Sequence, residues 1–316
     1  MKFNLFQYSI LFITLLITAF LVTPVFRSIA RKFKILDYPG GRKLQDQPVA
    51  YLGGLAVITP ITIASILLLF TSLSLDLKQQ LFLGLILPSL VIAFVGLLDD
   101  IYHLPPWLRF VCQTAVGSIT SILLYSSGAG VKIFENQFLN ITATVFWVVT
   151  IINAINFIDN MDGLATTISI VSSFTFFILA YLNNQFLVAA LSLSISASCI
   201  GFLFWNKKPA TIYLGDAGAL YLGFLLAAVA IRIDLNSEPT INRVFILLLV
   251  LALPIIDITQ VVISRLLKGK SPFQGGRDHI SHILLDRGYS QGKVLMVLTN
   301  LTILFSAIAL FIAGVV

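Results

Sequence analysis

Asn153-Ala-Ile-Asn-Phe-Ile-Asp-Asn-Met-Asp-Gly-Leu164 follows directly on the apolar run Phe138–Ile152, and its reading decides what kind of chain this is. Asn153, Asn156, Asp159 and Asp162 recur at every third position. Residues three apart share nearly one helix face, so the spacing predicts a polar stripe where a helix leaves hydrocarbon. Gly163 then permits a tight turn before the next apolar run. A helix that needed only an end would be served by Lys, Ser or Trp. Two acids on one face, in a basic chain with only 14 acids, point to a metal–phosphate or nucleotide site.

The composition around this stretch is that of a membrane protein. Of 316 residues, 58% are hydrophobic and 11% charged, and the mean hydropathy is +0.98. A soluble domain carries roughly 25% charged residues. The expected architecture is an all-α polytopic bundle forming one integral-membrane domain over residues 1–316. Cys112 and Cys199 both fall in apolar runs and read as buried thiols, with no disulfide framework or CxxC metal site. The first apolar run, ending near Phe26, lacks a small-residue cleavage site and reads as a first span rather than a removed signal.

Crossing a bilayer takes about 20 apolar residues. Ten such runs occur, at approximately 4–26, 50–71, 80–98, 107–126, 137–156, 164–182, 185–204, 217–233, 242–262 and 293–315. Ten spans put both termini on one side. Of the 20 Lys and Arg residues, 15 lie in loops after odd-numbered runs. The positive-inside rule then places those loops in the cytoplasm and both termini outside. Asp99, Asp100, Asp159, Asp162 and Asp216 all fall at run ends on that same face, as do His103, His279 and His282. Acids at a membrane edge are functional candidates by default.

Each cluster also has a plainer reading. Asp99 and Asp100 end the third run, where the helix macrodipole disfavours anions, so a cation, either a divalent ion or a lysine, is expected to offset them; otherwise they are a solvated cap. Asp216 opens the eighth run, an N-terminus that accepts a carboxylate or a ligand phosphate; alternatively it is only a helix cap. His279 and His282 with Arg277 suit phosphate oxygens better than zinc, against a reading as a basic surface loop. His103 reads as a surface residue. Asp257, beside Pro254 within the ninth run, reads as a structural group bonding into the bundle. Hard oxygen ligands spread over several loops match Mg²⁺, which prefers carboxylates plus substrate phosphates. The natural chemistry is phosphoryl transfer between a soluble donor and a membrane-held acceptor.

Five motifs, in order, resemble one family: Leu98-Asp-Asp100, Asn153-x-x-Asn-x-x-Asp-x-x-Asp-Gly-Leu164, Tyr213-Leu-Gly-Asp-Ala-Gly218, the His279-x-x-His282 loop, and Leu104-Pro-Pro-x-x-Arg-Phe-x-x-Gln113. Arg42-Lys43 with Gly53-Gly54, and Ser271-Pro-Phe273, add to them. The chain is similar, over about residues 37–295, to the polyprenyl-phosphate N-acetylhexosamine-1-phosphate transferases, glycosyltransferase family 4-like membrane enzymes related to the phospho-N-acetylmuramoyl-pentapeptide translocase. The resemblance implies transfer of a hexosamine 1-phosphate, GlcNAc-1-phosphate first among them, from a UDP-sugar to undecaprenyl phosphate at the inner face of the bacterial cytoplasmic membrane, with UMP release. It implies Mg²⁺, replaceable by Mn²⁺, on Asp216 with Asp159. Asp99, Asp100, His279 and His282 would serve the reacting phosphates. Asn153, Asn156, Asp162, Asn206, Tyr213, Arg277 and Lys43 would contact substrates, with Tyr213 stacked on uracil. It implies no nucleic-acid partner and is compatible with a homodimer. The translocase reaction, another UDP-hexosamine donor and, outside the class, an ion-coupled transporter are the alternatives.

The chain departs from the family pattern at four places. Asn160 stands where Gly is frequent, and Ser281 where the usual run of histidines has its middle member. Gln45 replaces a common His, and Pro48-Val-Ala-Tyr51 lacks the frequent Pro-Arg. Asn also tolerates a left-handed backbone, so the turn is expected to survive the replacement. Ser281→Ala is expected to cost little, and Ser281→His to be tolerated.

Overall fold

A computed structural model describes all residues except 1–3, 40–46, 72, 127, 129, 236–239, 273–275 and 316. Lys43, and with it Arg42 and Gln45, lies outside the described residues. The chain folds almost entirely into helices: α1 Leu5–Lys32, α2 Gly53–Leu69, α3 Leu75–Leu81, α4 Leu87–Tyr102, α5 Pro106–Ser126, α6 Gln137–Ile158, α7 Leu164–Leu182, α8 Phe186–Asn206, α9 Gly215–Ala230, α10 Thr240–Val250, α11 Ala252–Leu267, α12 Ile280–Asp286 and α13 Gln291–Ile312. A five-residue π segment, Phe82–Ile86, joins α3 to α4 as one rod.

Seven helices among the described residues are long and apolar enough to cross a membrane, and eight if α10 and α11, bent by 80° at their junction, form one broken span. The two shorter apolar helices, α2 and α9, account for the remaining two of the ten apolar runs. The chain is a polytopic membrane protein. Its lipid-facing surface is visible as exposed Leu, Ile and Phe along α1, α5 and α13, where a bilayer supplies the apolar solvent.

At the centre stands α9. Every residue from Gly215 to Ala230 except Asp216 is buried, and the helix packs mainly against α4 and α6. Small residues permit this approach, as is usual between membrane helices. A Cβ on Gly96 of α4 would strike the Asp216 carbonyl, and one on Gly54 of α2 would strike the backbone of Gly218.

At one end of the bundle the loops are tied together by backbone. The strands β1 (Leu36–Asp37) and β2 (Val49–Ala50) pair antiparallel. Ala50 also bridges to Ile212, and the Tyr213 N–H donates to the Ala50 carbonyl at 2.8 Å. Gly53 N–H returns a bond to the Tyr213 carbonyl at 3.0 Å. The segment before α2 and the segment before α9 thus move as one piece, which sets the rim of the site below.

The polar stripe expected from spacing is only half helical. Helix α6 stops at Ile158, with Asp159 as its C-cap at φ −78°, ψ 51°. Asn153 and Asn156 are therefore on the helix, while Asp159 and Asp162 reach the site from the turn that follows. Asp and Asn side chains compete with helical hydrogen bonds, and three of them within Asp159–Asp162 favour a turn. The turn survives with Asn160 in place of Gly, and its left-handed position falls on Gly163, at φ 72°.

Candidate active site

A cavity of about 320 Å³ opens at the end of the bundle where α4, α6, α8 and α9 meet their loops. Asp99, Asp100, Asn156, Asp159, Asp162, Asn206, Tyr213, Asp216 and His282 line it, so nine of the residues singled out from the sequence converge. Four others stand elsewhere. Asn153 lies a turn deeper in α6, where its amide donates to Gln113 Oε1 at 2.6 Å and to the Val149 carbonyl at 2.8 Å. His279 is buried behind His282, their ring centroids 6.0 Å apart. Arg277 is paired with Asp286 at 2.7 Å on the exposed side of the loop. Lys43 is not among the described residues.

The vicinal pair at the end of α4 divides its work. Both oxygens of Asp100 accept backbone N–H groups from the start of α9, Asp216 N at 2.7 Å and Ala217 N at 3.0 Å. The unfavourable C-terminus of α4 is thereby offset by the favourable N-terminus of α9. Asp99 is met instead by Arg109 of α5, whose Nη1 lies 2.5 Å from Asp99 Oδ2 and 3.1 Å from Asp216 Oδ2. Asn156 Nδ2 donates to the other oxygen of Asp216. The cation expected opposite the acids is thus, in part, an arginine from the next helix.

Asp159 has no such help. Among the described residues no side chain or N–H donates to its carboxylate. Burial, and after it the charges of Asp216, Asp100 and Asp162, hold its pKa well above the ordinary carboxylate range. Asp162 is also raised by burial, opposed by the Ala210 N–H bonded to it at 3.1 Å and by Lys208. Burial likewise pushes the phenols of Tyr51 and Tyr213 upward, so both stay protonated. Their rings sit 6.0 Å apart at an interplanar angle of 62°.

No group of three or more His, Cys, Asp or Glu side chains converges on one point among the described residues. Mg²⁺ does not need one. It usually takes one or two carboxylates and completes its octahedron with water and substrate phosphate oxygens. An undonated carboxylate on Asp159, with Asp216 on the same cavity, fits that donor set.

Asn206 is occupied on both sides: its Oδ1 accepts from Thr166 Oγ1 at 2.8 Å, and its Nδ2 donates to the Ile212 carbonyl at 3.1 Å. It shapes the loop that carries Tyr213 as well as lining the cavity. The histidine loop is held from below. Arg265, buried in α11, donates to Asp278 at 3.2 Å and to the Pro272 carbonyl at 2.6 Å. Asp257 accepts Ile280 N–H at 2.8 Å on one oxygen, and its other oxygen lies 2.8 Å from His279 Nδ1. A carboxylate only accepts here, so the His279 proton sits on Nδ1. Asp257 bonds into the bundle as expected, and the group it holds is the histidine loop.

His282 faces the cavity with its Nδ1 buried and, among the described residues, without a hydrogen-bond partner. Burial first, then His279 and Arg277, lowers its pKa, which leaves a neutral imidazole at neutral pH. His103, expected at the surface, is exposed and also lines the cavity; it ends α4 in a left-handed conformation at φ 52°.

The two departures from the family pattern touch. Ser281 Oγ donates to Asn160 Oδ1 at 2.5 Å, and Ser281 is only 1% exposed. Asn160 Nδ2 in turn donates to the Phe157 carbonyl at 2.8 Å, in the last turn of α6. A serine at position 281 is therefore a packed, bonded residue, and its burial and bond give substitution there a cost that the pattern alone does not indicate.

Residues with no role assigned from the sequence also line the cavity: Asp37, Tyr51, Asn160, Met161, Gly215 and Gln291. Asp37 gave a faint signal, one of two acids in the basic stretch Arg27–Pro48. Arg109 stood in a quoted motif, but its two partners are 10 and 107 positions away and leave no local trace.

Residues 82–234 match the family described as Glycosyl transferase family 4. The chain is 31% identical over 308 residues to the probable undecaprenyl-phosphate N-acetylglucosaminyl 1-phosphate transferase of Bacillus subtilis (strain 168), covering 95% of this chain and 83% of that one. It is 27% identical over 311 residues to the undecaprenyl-phosphate alpha-N-acetylglucosaminyl 1-phosphate transferase of Escherichia coli (strain K12), covering 93% and 82%. With the decaprenyl-phosphate N-acetylglucosaminephosphotransferase of Mycobacterium leprae (strain TN) it shares 26% identity over 317 residues, covering 90% and 79%.

Proposed function

Because the chain belongs to glycosyl transferase family 4, we propose that it transfers N-acetylglucosamine 1-phosphate from UDP-N-acetylglucosamine to polyprenyl phosphate and releases UMP. The observation that carries this reading is the meeting, in one cavity, of an undonated carboxylate on Asp159, the carboxylate of Asp216 and the ring of Tyr213. Carboxylates ready for a cation, beside an aromatic face for a base, suit a nucleoside diphosphate.

In the reaction an oxygen of the lipid phosphate forms a bond to the donor's β-phosphorus. The bond from that phosphorus to the bridging oxygen breaks, and the electron pair leaves with UMP. A phosphate monoester with a second pKa near 6 is largely dianionic at neutral pH, so no general base is required. Arg109 holds Asp99 and Asp216 in fixed orientation and contributes positive charge beside the reacting phosphates. His282, neutral, donates a hydrogen bond to a non-bridging oxygen without adding charge. Asp100 keeps the start of α9, and so Asp216, in place. Bound by Asp159 and Asp216, Mg²⁺ would supply charge neutralisation for the departing UMP. Tyr213 would stack on the uracil, worth roughly 1–3 kcal/mol for one base.

The acidic cavity shares its end of the bundle with Arg27, Arg31, Lys207 and Lys208, the basic loops that the positive-inside rule assigns to the cytoplasm. The reading therefore places the site at the inner face of the bacterial cytoplasmic membrane, where soluble nucleotide sugars are found. Purified protein given polyprenyl phosphate, Mg²⁺ and a panel of UDP-sugars tests the proposal. UMP release with UDP-N-acetylglucosamine is expected to exceed release with UDP-N-acetylmuramoyl-pentapeptide. No UMP from any of them would refute it.

A further inference from the structure

A second and larger cavity, about 690 Å³, lies at the opposite end of the bundle among α1, α2, α3 and α8. Three helices show the separation. Tyr51, two residues before α2, lines the acidic site while Pro60 to Leu68 of α2 line this cavity, and α8 carries Asn206 at one and residues 187–194 at the other. Helix α9 starts at Asp216 beside the acids, and Arg232 follows just beyond its last turn. Sixteen helical residues rise about 24 Å at 1.5 Å each, so the two cavities are separate sites.

The walls are leucines, Pro60, Ile63, Ala64 and Val188, with a few Thr and Ser hydroxyls. Charge is confined to one pole. Arg232 spends its guanidinium on two long backbone bonds, to the Ala228 carbonyl at 3.2 Å and the Gly84 carbonyl at 3.4 Å. Arg243 bonds the Ile231 carbonyl at 2.9 Å and the Gly130 carbonyl at 3.3 Å. Among the described residues its buried Nε has no partner, and neither guanidinium has a carboxylate in salt-bridge contact. Asp234 is the one acid among the described residues that line the cavity, near enough to Arg243 to act on its charge. Gln80 and Gln185 complete the polar rim.

A cavity of this size is ordinary for a bound small molecule, about 300–1,000 Å³. An apolar body with two guanidinium forks at one end is complementary to an amphiphile with a phosphate head. Two arginines and one aspartate leave a single net positive charge among the described lining residues. That matches the monoanion of a phosphodiester better than the dianion of a phosphate monoester. We infer that this cavity binds an anionic glycerophospholipid, with its phosphodiester on Arg232 and Arg243 and an acyl chain between α1, α2 and α8.

The test uses the full-length protein in neutral detergent, exchanged into phosphatidylglycerol, phosphatidylcholine or polyprenyl phosphate and followed by native mass spectrometry and thermal unfolding. One phosphatidylglycerol is expected to stay bound and raise the melting temperature, with phosphatidylcholine retained at least tenfold less. Arg243→Gln and Arg232→Gln should each reduce phosphatidylglycerol retention at least tenfold. Should either arginine variant fail to fold, Ala64→Trp decides the matter, since it fills the cavity from α2 and leaves both arginines in place. Loss of the lipid in Ala64→Trp, with normal elution on gel filtration, supports the site. Equal retention of phosphatidylcholine, or full retention of phosphatidylglycerol in Ala64→Trp, overturns it. Displacement of phosphatidylglycerol by equimolar polyprenyl phosphate in the wild type would overturn the choice of lipid.

Discussion

Restoring histidine at position 281 is expected to damage this protein, and removing the Asn160 side chain is expected to relieve the damage. Ser281 is 1% exposed and its hydroxyl lies 2.5 Å from Asn160 Oδ1. An imidazole placed there must overlap the amide, and overpacking of a tight site costs about 1–3 kcal/mol. Ser281→Ala instead deletes a neutral hydrogen bond and leaves a half-buried amide oxygen without its donor, a loss of about 1–2 kcal/mol. Asn160→Gly alone should cost about 1 kcal/mol, through the lost bonds to Ser281 and to the Phe157 carbonyl. In the Ser281→His background, the same Asn160→Gly change opens the space that the ring needs and its effect should reverse sign. Thermal unfolding in detergent and rates of UMP release, measured on wild type, both single variants and the double variant, give a complete cycle with an expected coupling of at least 1 kcal/mol. A Ser281→His protein as stable and active as wild type would refute the reasoning. So would a double variant no better than Ser281→His.

Three further outcomes follow from the cavity. Asp216→Asn keeps the shape and the bond partners but removes a charge, and should lower UMP release by about 10²–10³ or more, with the protein still folded by gel filtration; unchanged turnover and Mg²⁺ dependence would exclude the assignment. Tyr213→Phe should be mild, whereas Tyr213→Ala should weaken UMP binding in calorimetry by roughly 1–3 kcal/mol; equal affinities would remove the ring from the nucleotide site. Asp159 has a raised pKa in the fold, so its contribution to stability is present below its unfolded value of about 3.9 and is lost as pH rises through the folded value. At neutral pH without metal the buried carboxyl therefore works against folding, and Asp159→Asn should raise the metal-free melting temperature while abolishing UMP release; a lower melting temperature at neutral pH would contradict this.

Much of the membrane architecture was legible because apolar runs are long and uninterrupted, and the π segment did not hide the span through α4. The break between α10 and α11 was signalled only by Pro254, inside what reads as one apolar run. The acids were legible as a set, since charge at a membrane edge is scarce. Their individual duties were not. Asp99 and Asp100 are neighbours in sequence, yet one meets a guanidinium on α5 and the other the first N–H groups of α9. Such a division depends on where two other helices arrive. Spacing by three misread Asp159 and Asp162 as helical, because local turn preference outweighed the periodicity. Asn160 and Ser281 were each recognisable as departures from a pattern, but only their contact, across 121 positions, shows them to be partners.

The sheathing of α9 bears on how the protein is made. At about 24 Å for its 16 residues, the helix is shorter than a hydrocarbon core of about 30 Å. It also begins with Asp216 and is followed closely by Arg232. Released alone from the translocon into lipid, such a segment would thin the bilayer around it or leave polar groups stranded. Inside the finished bundle it never meets lipid, because α4 and α6 have replaced the bilayer along its length. The segment that carries Asp216 is thus a membrane-depth helix whose solvent is protein, and the position of the active-site acid is set by α4 and α6 rather than by the bilayer.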